Sequence, residues 1–175
     1  MKNDKIKSVI VLTVICLIVT ALLAVTNSFT SPVIQASRNK KIEQSLKAVI
    51  PEMRSVRVPD VLPEGLPSTV DAVYIVNEKY YAVVLSTMSA YSSGEMGITV
   101  GISMDGEIVG IKITSYFESK DFGRDTYPDN YVGLKADEIE GVDVFAGVTY
   151  SSKAFKKALN DAFTAVKLIE GGDAQ

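Results

Sequence analysis

Apolar and polar positions are distributed very unevenly along this chain. From Ser8 to Ser37 no charged residue occurs, and Val9 to Val25 is apolar except for Thr13 and Thr20. With Ser8 and the Thr26 to Ser28 edge the run reaches about 20 residues, enough at about 1.5 Å rise per residue to cross a hydrocarbon core of roughly 30 Å as a helix. Thr13, Cys16 and Thr20 can hydrogen-bond or bury within such a helix, so a transmembrane segment is predicted over residues 8–27. A cleaved export signal is the rival, because Lys2, Lys5 and Lys7 form a basic leader. The run exceeds the roughly 7–15 apolar residues usual in a signal core, and Leu22 stands where cleavage near Ala24 wants a small residue. Bulky Val14 and Ile15 ahead of Cys16 give no lipobox. A retained anchor is the expectation.

Beyond the run the period changes twice. Ser31-Pro32 reads as an N-cap with proline in the first helical position. Ile34, Ile42, Leu46, Val49 and Ile50 then fall near one face of a helical stalk that Pro51 stops. Four prolines (Pro51, Pro59, Pro63, Pro67) and little periodicity make 51–68 a linker, so residues 28–68 are stalk and linker. Alternation over Val70 to Val76 and Tyr80 to Thr87 predicts a hairpin turning at Asn77-Glu78-Lys79. A second hairpin pairs Gly97 to Ser103 with Glu107 to Ser115 through the Asp105-Gly106 turn signal. After an irregular stretch from Glu118 to Gly133, Phe155, Ala158, Leu159, Ala162, Phe163 and Val166 recur at three and four, predicting a helix over Ser152 to Ile169. The expected fold class is α+β: one N-terminal transmembrane helix, then a small domain over 69–172 with an antiparallel sheet and a C-terminal helix.

Charge gives the anchor a direction. Lys2, Lys5 and Lys7 abut the apolar run, whereas the first charges beyond it are Arg38, Lys40 and Lys41. This bias favours residues 1–7 in the cytoplasm and the C-terminal domain on the extracytoplasmic side of the cell membrane. After Val25 there are 15 basic and 20 acidic residues, and such an acidic domain argues against nucleic acid as a partner. The chain has no histidine and one cysteine, Cys16, inside the apolar run. That excludes an internal disulfide, a thiolate or imidazole metal cage, and a triad built on histidine. Organic cofactors, hard metals and simple binding remain.

The segment Asp143-Val144-Phe145-Ala146-Gly147-Val148-Thr149-Tyr150-Ser151-Ser152 sets three hydroxyl residues, Thr149, Ser151 and Ser152, ahead of the C-terminal helix. A helix N-terminus combines N–H groups with a positive dipole end, which suits a phosphate, and Gly147 lets the backbone come close. The same residues also read as an N-cap with ordinary loop hydroxyls, and spacing alone favours that reading. Asp121, Arg124 and Asp125 read as an exposed charge cluster rather than a metal site, and no metal ligands are assigned. Phe117, Phe122, Tyr127 and Tyr131 are candidates for stacking on a planar ring or for core packing, the latter being the default.

The segment resembles the flavinylation motif of the FMN-binding domain in the G subunit of the Rnf electron-transport complex. The C subunit of sodium-translocating NADH:quinone reductase shares that motif. It runs Asp, two variable residues, Ser or Thr, Gly, Ala or Ser, then the Thr to which a flavin transferase attaches FMN through phosphate. Asp143, Gly147 and Thr149 match, while Ala146 and Val148 depart from it. Gly101 to Gly110 is similar to the family's central hairpin. Glu118 to Gly123 aligns with its Glu-Thr-Pro-Gly-Leu-Gly loop, keeping the first and last residues.

The resemblance implies a redox subunit of an ion-translocating oxidoreductase complex, with covalent FMN as its cofactor. It would relay electrons between ferredoxin and NAD without a nicotinamide site of its own. Thr149 is then the phosphoryl acceptor, and Asp143, Gly147, Ser151, Ser152, Glu118 and Gly123 are candidate cofactor-binding residues, with no catalytic residue beyond them. The implied partners are the other membrane and peripheral subunits, a flavin transferase and the lipid bilayer. Open alternatives are a quinone-reductase C-type subunit, a stand-alone anchored flavin shuttle, or a cofactor-free bitopic assembly module. A pilin is disfavoured because the apolar run has no glutamate and no glycine-cleaved leader.

Overall fold

A computed structural model of the chain describes residues 2–59, 63–90, 92–117, 120, 121 and 123–172. In order these form helix α1 (Lys2–Val49), strands β1 (Val56–Arg57), β2 (Val70–Val76), β3 (Tyr80–Thr87), β4 (Met96–Ser103) and β5 (Ile108–Ser115), and helix α2 (Thr149–Gly172). Short 3-10 helices at Tyr127–Tyr131 and Ile139–Gly141 lie between β5 and α2. The described residues divide into two compact units, one ending at Glu43 and one beginning at Gln44.

In the first unit α1 contains, from Ile10 onward, a stretch long and apolar enough to be a candidate membrane span. Its large apolar side chains between Ile10 and Val25 are exposed, as a lipid-facing helix requires. The hydroxyls that interrupt the run turn inward: Thr20, Thr26 and Ser28 donate to the carbonyls of Cys16, Leu22 and Ala24 at 2.8, 2.9 and 2.9 Å. The helix start expected at Ser31-Pro32 is corrected, because α1 runs through Pro32 without a break. Proline removes one N–H from the ladder, at a cost of about 3 kcal/mol. That loss is local, and helix-compatible sequence on both sides outweighs it.

The second unit is built on a five-stranded antiparallel meander in the order β1-β2-β3-β4-β5. The sequence predicted four of these strands; β1, with two residues in the proline-rich segment, is too short to show a period. Asn77 explains why it pairs. Its side-chain oxygen accepts from the amides of Arg54 and Ser55 at 2.8 and 3.1 Å, and its amide donates to the Glu52 carbonyl at 2.8 Å. The hairpin turn itself thus ties the segment after α1 to the sheet edge, where Val56 and Arg57 pair with Val76 and Ile75. At the other hairpin Gly106, at φ 76°, provides the turn that Asp105-Gly106 announced.

One face of the sheet carries Val73, Ile75, Tyr81, Val83, Leu85, Met96, Ile98, Val100, Ile102 and Ile108 into the core. The stripe of α2 predicted from its period, Phe155, Ala158, Leu159, Ala162, Phe163 and Val166, closes that core and is buried. On the other face Gly101 of β4 admits the end of α1, where a Cβ would lie 3.2 Å from the Ile50 side chain and 3.4 Å from the Val49 carbonyl oxygen. Leu46, Val49 and Ile50 are buried there. Gly101 faces Gly110 across the β4–β5 ladder, and a Cβ on Gly110 would lie 2.6 Å from the Val49 carbonyl oxygen. The helix end therefore rests on bare backbone.

Candidate functional site

Helix α2 begins at Thr149, three residues before the start that periodicity predicted at Ser152. The reason lies in Ser152. Its hydroxyl accepts from the Phe145 amide at 3.2 Å and donates to the Val148 carbonyl at 3.0 Å, while its own amide bonds Val148 O at 3.1 Å. These bonds draw Thr149 and Tyr150 into the first turn. Ser152 is fully buried and Ser151 nearly so, which makes them part of the helix's footing rather than an exposed cap. Thr149 is exposed at the N-terminal end of the helix, where the macrodipole is positive.

The loop ahead of Thr149 is a tight turn. Val148 N–H donates to Phe145 O at 3.2 Å, closing a four-residue turn with Ala146 and Gly147 at its centre. Gly147 takes φ 81°, the left-handed value needed at the third position of such a turn, and nothing lies within 4 Å of where its Cβ would be. Open space thus lies at Gly147, two residues before Thr149. Asp143 is exposed, and its backbone carbonyl accepts from the Tyr127 hydroxyl at 2.9 Å.

Tyr127 in turn bonds the Tyr131 hydroxyl at 2.7 Å. Both tyrosines are buried, in edge contact with each other at 5.4 Å between ring centroids. Tyr127 also meets Phe145 edge-on at 5.8 Å, and both tyrosines pack near Phe155. Core packing is therefore where these two rings belong, and ring stacking on a ligand is left to exposed aromatics. Burial raises the Tyr131 hydroxyl far above the ordinary tyrosine range, helped by its bond to Tyr127 and by the charge of Glu140.

Gly123 comes to the same place from the other loop. It adopts φ 73°, its amide and that of Arg124 are held by the Asp121 carboxylate at 2.9 and 3.0 Å, and a Cβ would sit 3.3 Å from the Phe145 ring. Asp121 thus acts in the loop's own turn. Arg124 pairs with Asp121 at 3.6 Å and lies 5.6 Å from the centre of the Tyr116 ring, and Asp125 pairs with Lys112 at 3.8 Å. Glu118 and Phe122 lie outside the described residues. Phe117 is exposed.

The structure brings Gly123, Asp143, Gly147, Thr149, Ser151 and Ser152 into one neighbourhood. Around them Val144, Phe145 and Tyr150 leave 38, 40 and 56% of their surface exposed, an apolar rim beside a phosphate-compatible helix end. An exposed hydroxyl, an open left-handed glycine, a positive helix end and nearby apolar rings fit a phosphorylated planar ligand such as FMN. Sequence reasoning offered Tyr127 for ring stacking or, by default, core packing, but not for the hydrogen bond it gives the Asp143 carbonyl.

Two comparisons bear on the chain's kinship. Residues 92–164 match the FMN-binding domain, a segment that holds β4, β5, the Tyr127–Tyr131 pair and the Thr149 loop. Residues 1–49 match the RnfG N-terminal region, which coincides with α1. Among curated proteins none matches the chain. With both regions matched on one chain, the protein belongs to the RnfG-type FMN-binding subunits.

Proposed function

We propose that this subunit carries FMN covalently on Thr149 and relays electrons within an Rnf-type ion-translocating ferredoxin:NAD oxidoreductase, held by α1 in the cell membrane. The basic residues ahead of the apolar run support a cytoplasmic N-terminus and a flavin domain on the extracytoplasmic side. The observation that carries the proposal is the exposed Thr149 hydroxyl at the start of α2, two residues after an open Gly147, within the stretch matched to the FMN-binding domain.

The chain's part in attachment is that of an acceptor. Thr149 Oγ forms a bond to the phosphorus of an FMN phosphoanhydride presented by a flavin transferase. The anhydride P–O bond breaks, the other phosphate leaves with the electron pair, and the threonine proton passes to the transferase or solvent. The chain has no histidine, and as an acceptor it needs no base of its own. The resulting phosphodiester keeps one negative charge, which the α2 N-terminus stabilises by about 0.3–1 kcal/mol. When bound, FMN supplies one- and two-electron redox chemistry that no side chain here could supply. Phe145 and Tyr150 offer apolar surface beside the tether, and Gly123 leaves the facing loop without a side chain at that point.

The proposal is tested by producing the chain with a flavin transferase and measuring its intact mass and in-gel flavin fluorescence. One FMN, less water, is expected on the wild type and none on Thr149→Ala. An unmodified wild-type chain under those conditions would refute it.

A further inference from the structure

Tyr127 is buried, yet its hydroxyl reaches a backbone carbonyl at the first residue of the acceptor loop. A phenol has one proton. Because that of Tyr127 is given to Asp143 O at 2.9 Å, the 2.7 Å contact with Tyr131 must be donated by Tyr131. The direction is therefore fixed: Tyr131 to Tyr127 to the Asp143 carbonyl. From the helix side Ser152 Oγ holds Phe145 N and Val148 O. The loop is fastened at its first residue by one hydroxyl and at its third and sixth by another.

We infer that Tyr127 is a positioning residue for flavin attachment: it holds the Asp143 end of the loop so that Thr149 is presented to the transferase in one geometry. The inference rests on the reading of Thr149 as the acceptor. Tyr131 supports Tyr127 by filling its acceptor lone pair, but Tyr127 keeps its own proton for Asp143 without that help. The two hydroxyls are therefore unequal in function although both are buried and bonded to each other. If the loop samples other conformations, only a fraction of chains offers the acceptor correctly, and the apparent affinity of the transferase for the chain falls by that fraction. The turnover rate of the bound, correctly placed acceptor does not change.

The test uses the full-length chain in detergent with a flavin transferase and its flavin donor, comparing wild type, Tyr127→Phe and Tyr131→Phe. Tyr127→Phe keeps the ring contacts and removes two hydrogen bonds, the part-buried one to the Asp143 carbonyl and the one accepted from Tyr131. It should raise KM for the chain roughly tenfold, as expected when a part-buried carbonyl loses its donor, with kcat unchanged. Tyr131→Phe should leave KM within about twofold of wild type even where it lowers thermal stability as much. Amide hydrogen exchange on the flavin-free chains provides a second readout. Phe145 and Val148 should exchange about ten times faster in Tyr127→Phe, while β4 amides keep their protection and show that the sheet is intact. Unchanged KM and unchanged loop exchange in Tyr127→Phe would overturn the inference. So would a Tyr131→Phe chain that matches Tyr127→Phe in both. A wild-type chain that accepts no FMN would refute the acceptor role of Thr149 instead, and loop exchange alone would then decide whether Tyr127 holds the loop.

Discussion

Replacing Gly110 with alanine tests how the end of α1 is seated on the sheet. A Cβ at Gly110 would stand 2.6 Å from Val49 O, 3.0 Å from Val49 Cα and 3.2 Å from its carbonyl carbon. Comfortable separations are about 3.5–4.0 Å, so the helix end must retreat by roughly 0.5–1 Å. All three obstructing atoms are backbone, and no rotamer change relieves them. Overpacking of this kind costs about 1–3 kcal/mol. Complete undocking would expose Leu46, Val49 and Ile50, now only 3, 2 and 3% exposed. At about 1.5–3 kcal/mol each that is the dearer route, so the helix end shifts but stays docked. We expect Gly110→Ala to lose about 2–3 kcal/mol, or roughly 6–15 °C in Tm for a unit of this size.

Gly101→Ala should cost less, about 1 kcal/mol. Its closest obstructions are the side-chain ends of Val109 and Ile50, at 3.0 and 3.2 Å, which can turn aside. Gly141→Ala, with nothing within 4 Å, should stay within about 0.5 kcal/mol of wild type. Thermal unfolding of the full-length chain in detergent can be followed by tyrosine near-UV circular dichroism, since the sequence has eight tyrosines and no tryptophan. If Gly110→Ala melts with Gly141→Ala, α1 does not rest on the β4–β5 backbone and the reasoning fails.

Two further outcomes follow from the same geometry. Tyr131 is held protonated in the fold well above its unfolded value of about 10, so its contribution to stability is complete below that pH and is lost as pH rises above it. The unfolding free energy of wild type from urea titrations should therefore fall between pH 10 and 11 more steeply than that of Tyr131→Phe, by up to about 1.4 kcal/mol per pH unit, and parallel curves would contradict the buried assignment. Asn77→Ala removes three hydrogen bonds to residues 52–55 and leaves a non-glycine residue at φ 54°; it should cost about 2 kcal/mol and accelerate amide exchange at Val56 and Arg57 while α2 keeps its protection.

How far the sequence reveals this molecule depends on whether a feature is periodic. The α2 stripe and the alternation of Ile98, Val100 and Ile102 were legible because burial repeats at 3.6 and at 2. The Asp105-Gly106 turn was legible because one residue must take a positive φ. The features that escaped are decided by single contacts rather than by a repeat. Strand β1 exists because Asn77 reaches back to Arg54 and Ser55, more than 20 positions away. The start of α2 moves to Thr149 because Ser152 holds Phe145 and Val148. The paired Gly101 and Gly110 leave no hydropathy signal, since their role is to have no side chain under Val49.

The proposed acceptor was singled out for a different reason. Asp143, Gly147 and Thr149 stand at a spacing that carries a family resemblance, whereas hydroxyl residues before a helix are by themselves ordinary. The bond from Tyr127 to the loop was hidden because its partner is a backbone carbonyl 16 residues on, which any residue at position 143 would supply.

The central claim is that Thr149 bears the flavin. Peptide mass spectrometry of the chain matured with its flavin transferase addresses it most directly, by locating the added mass within the segment from Asp143 to Lys153. The account predicts one FMN, less water, on Thr149, and its complete loss in Thr149→Ala with the fold retained. An adduct on Ser151 or Ser152, or a wild-type chain that matures without any adduct, would contradict it.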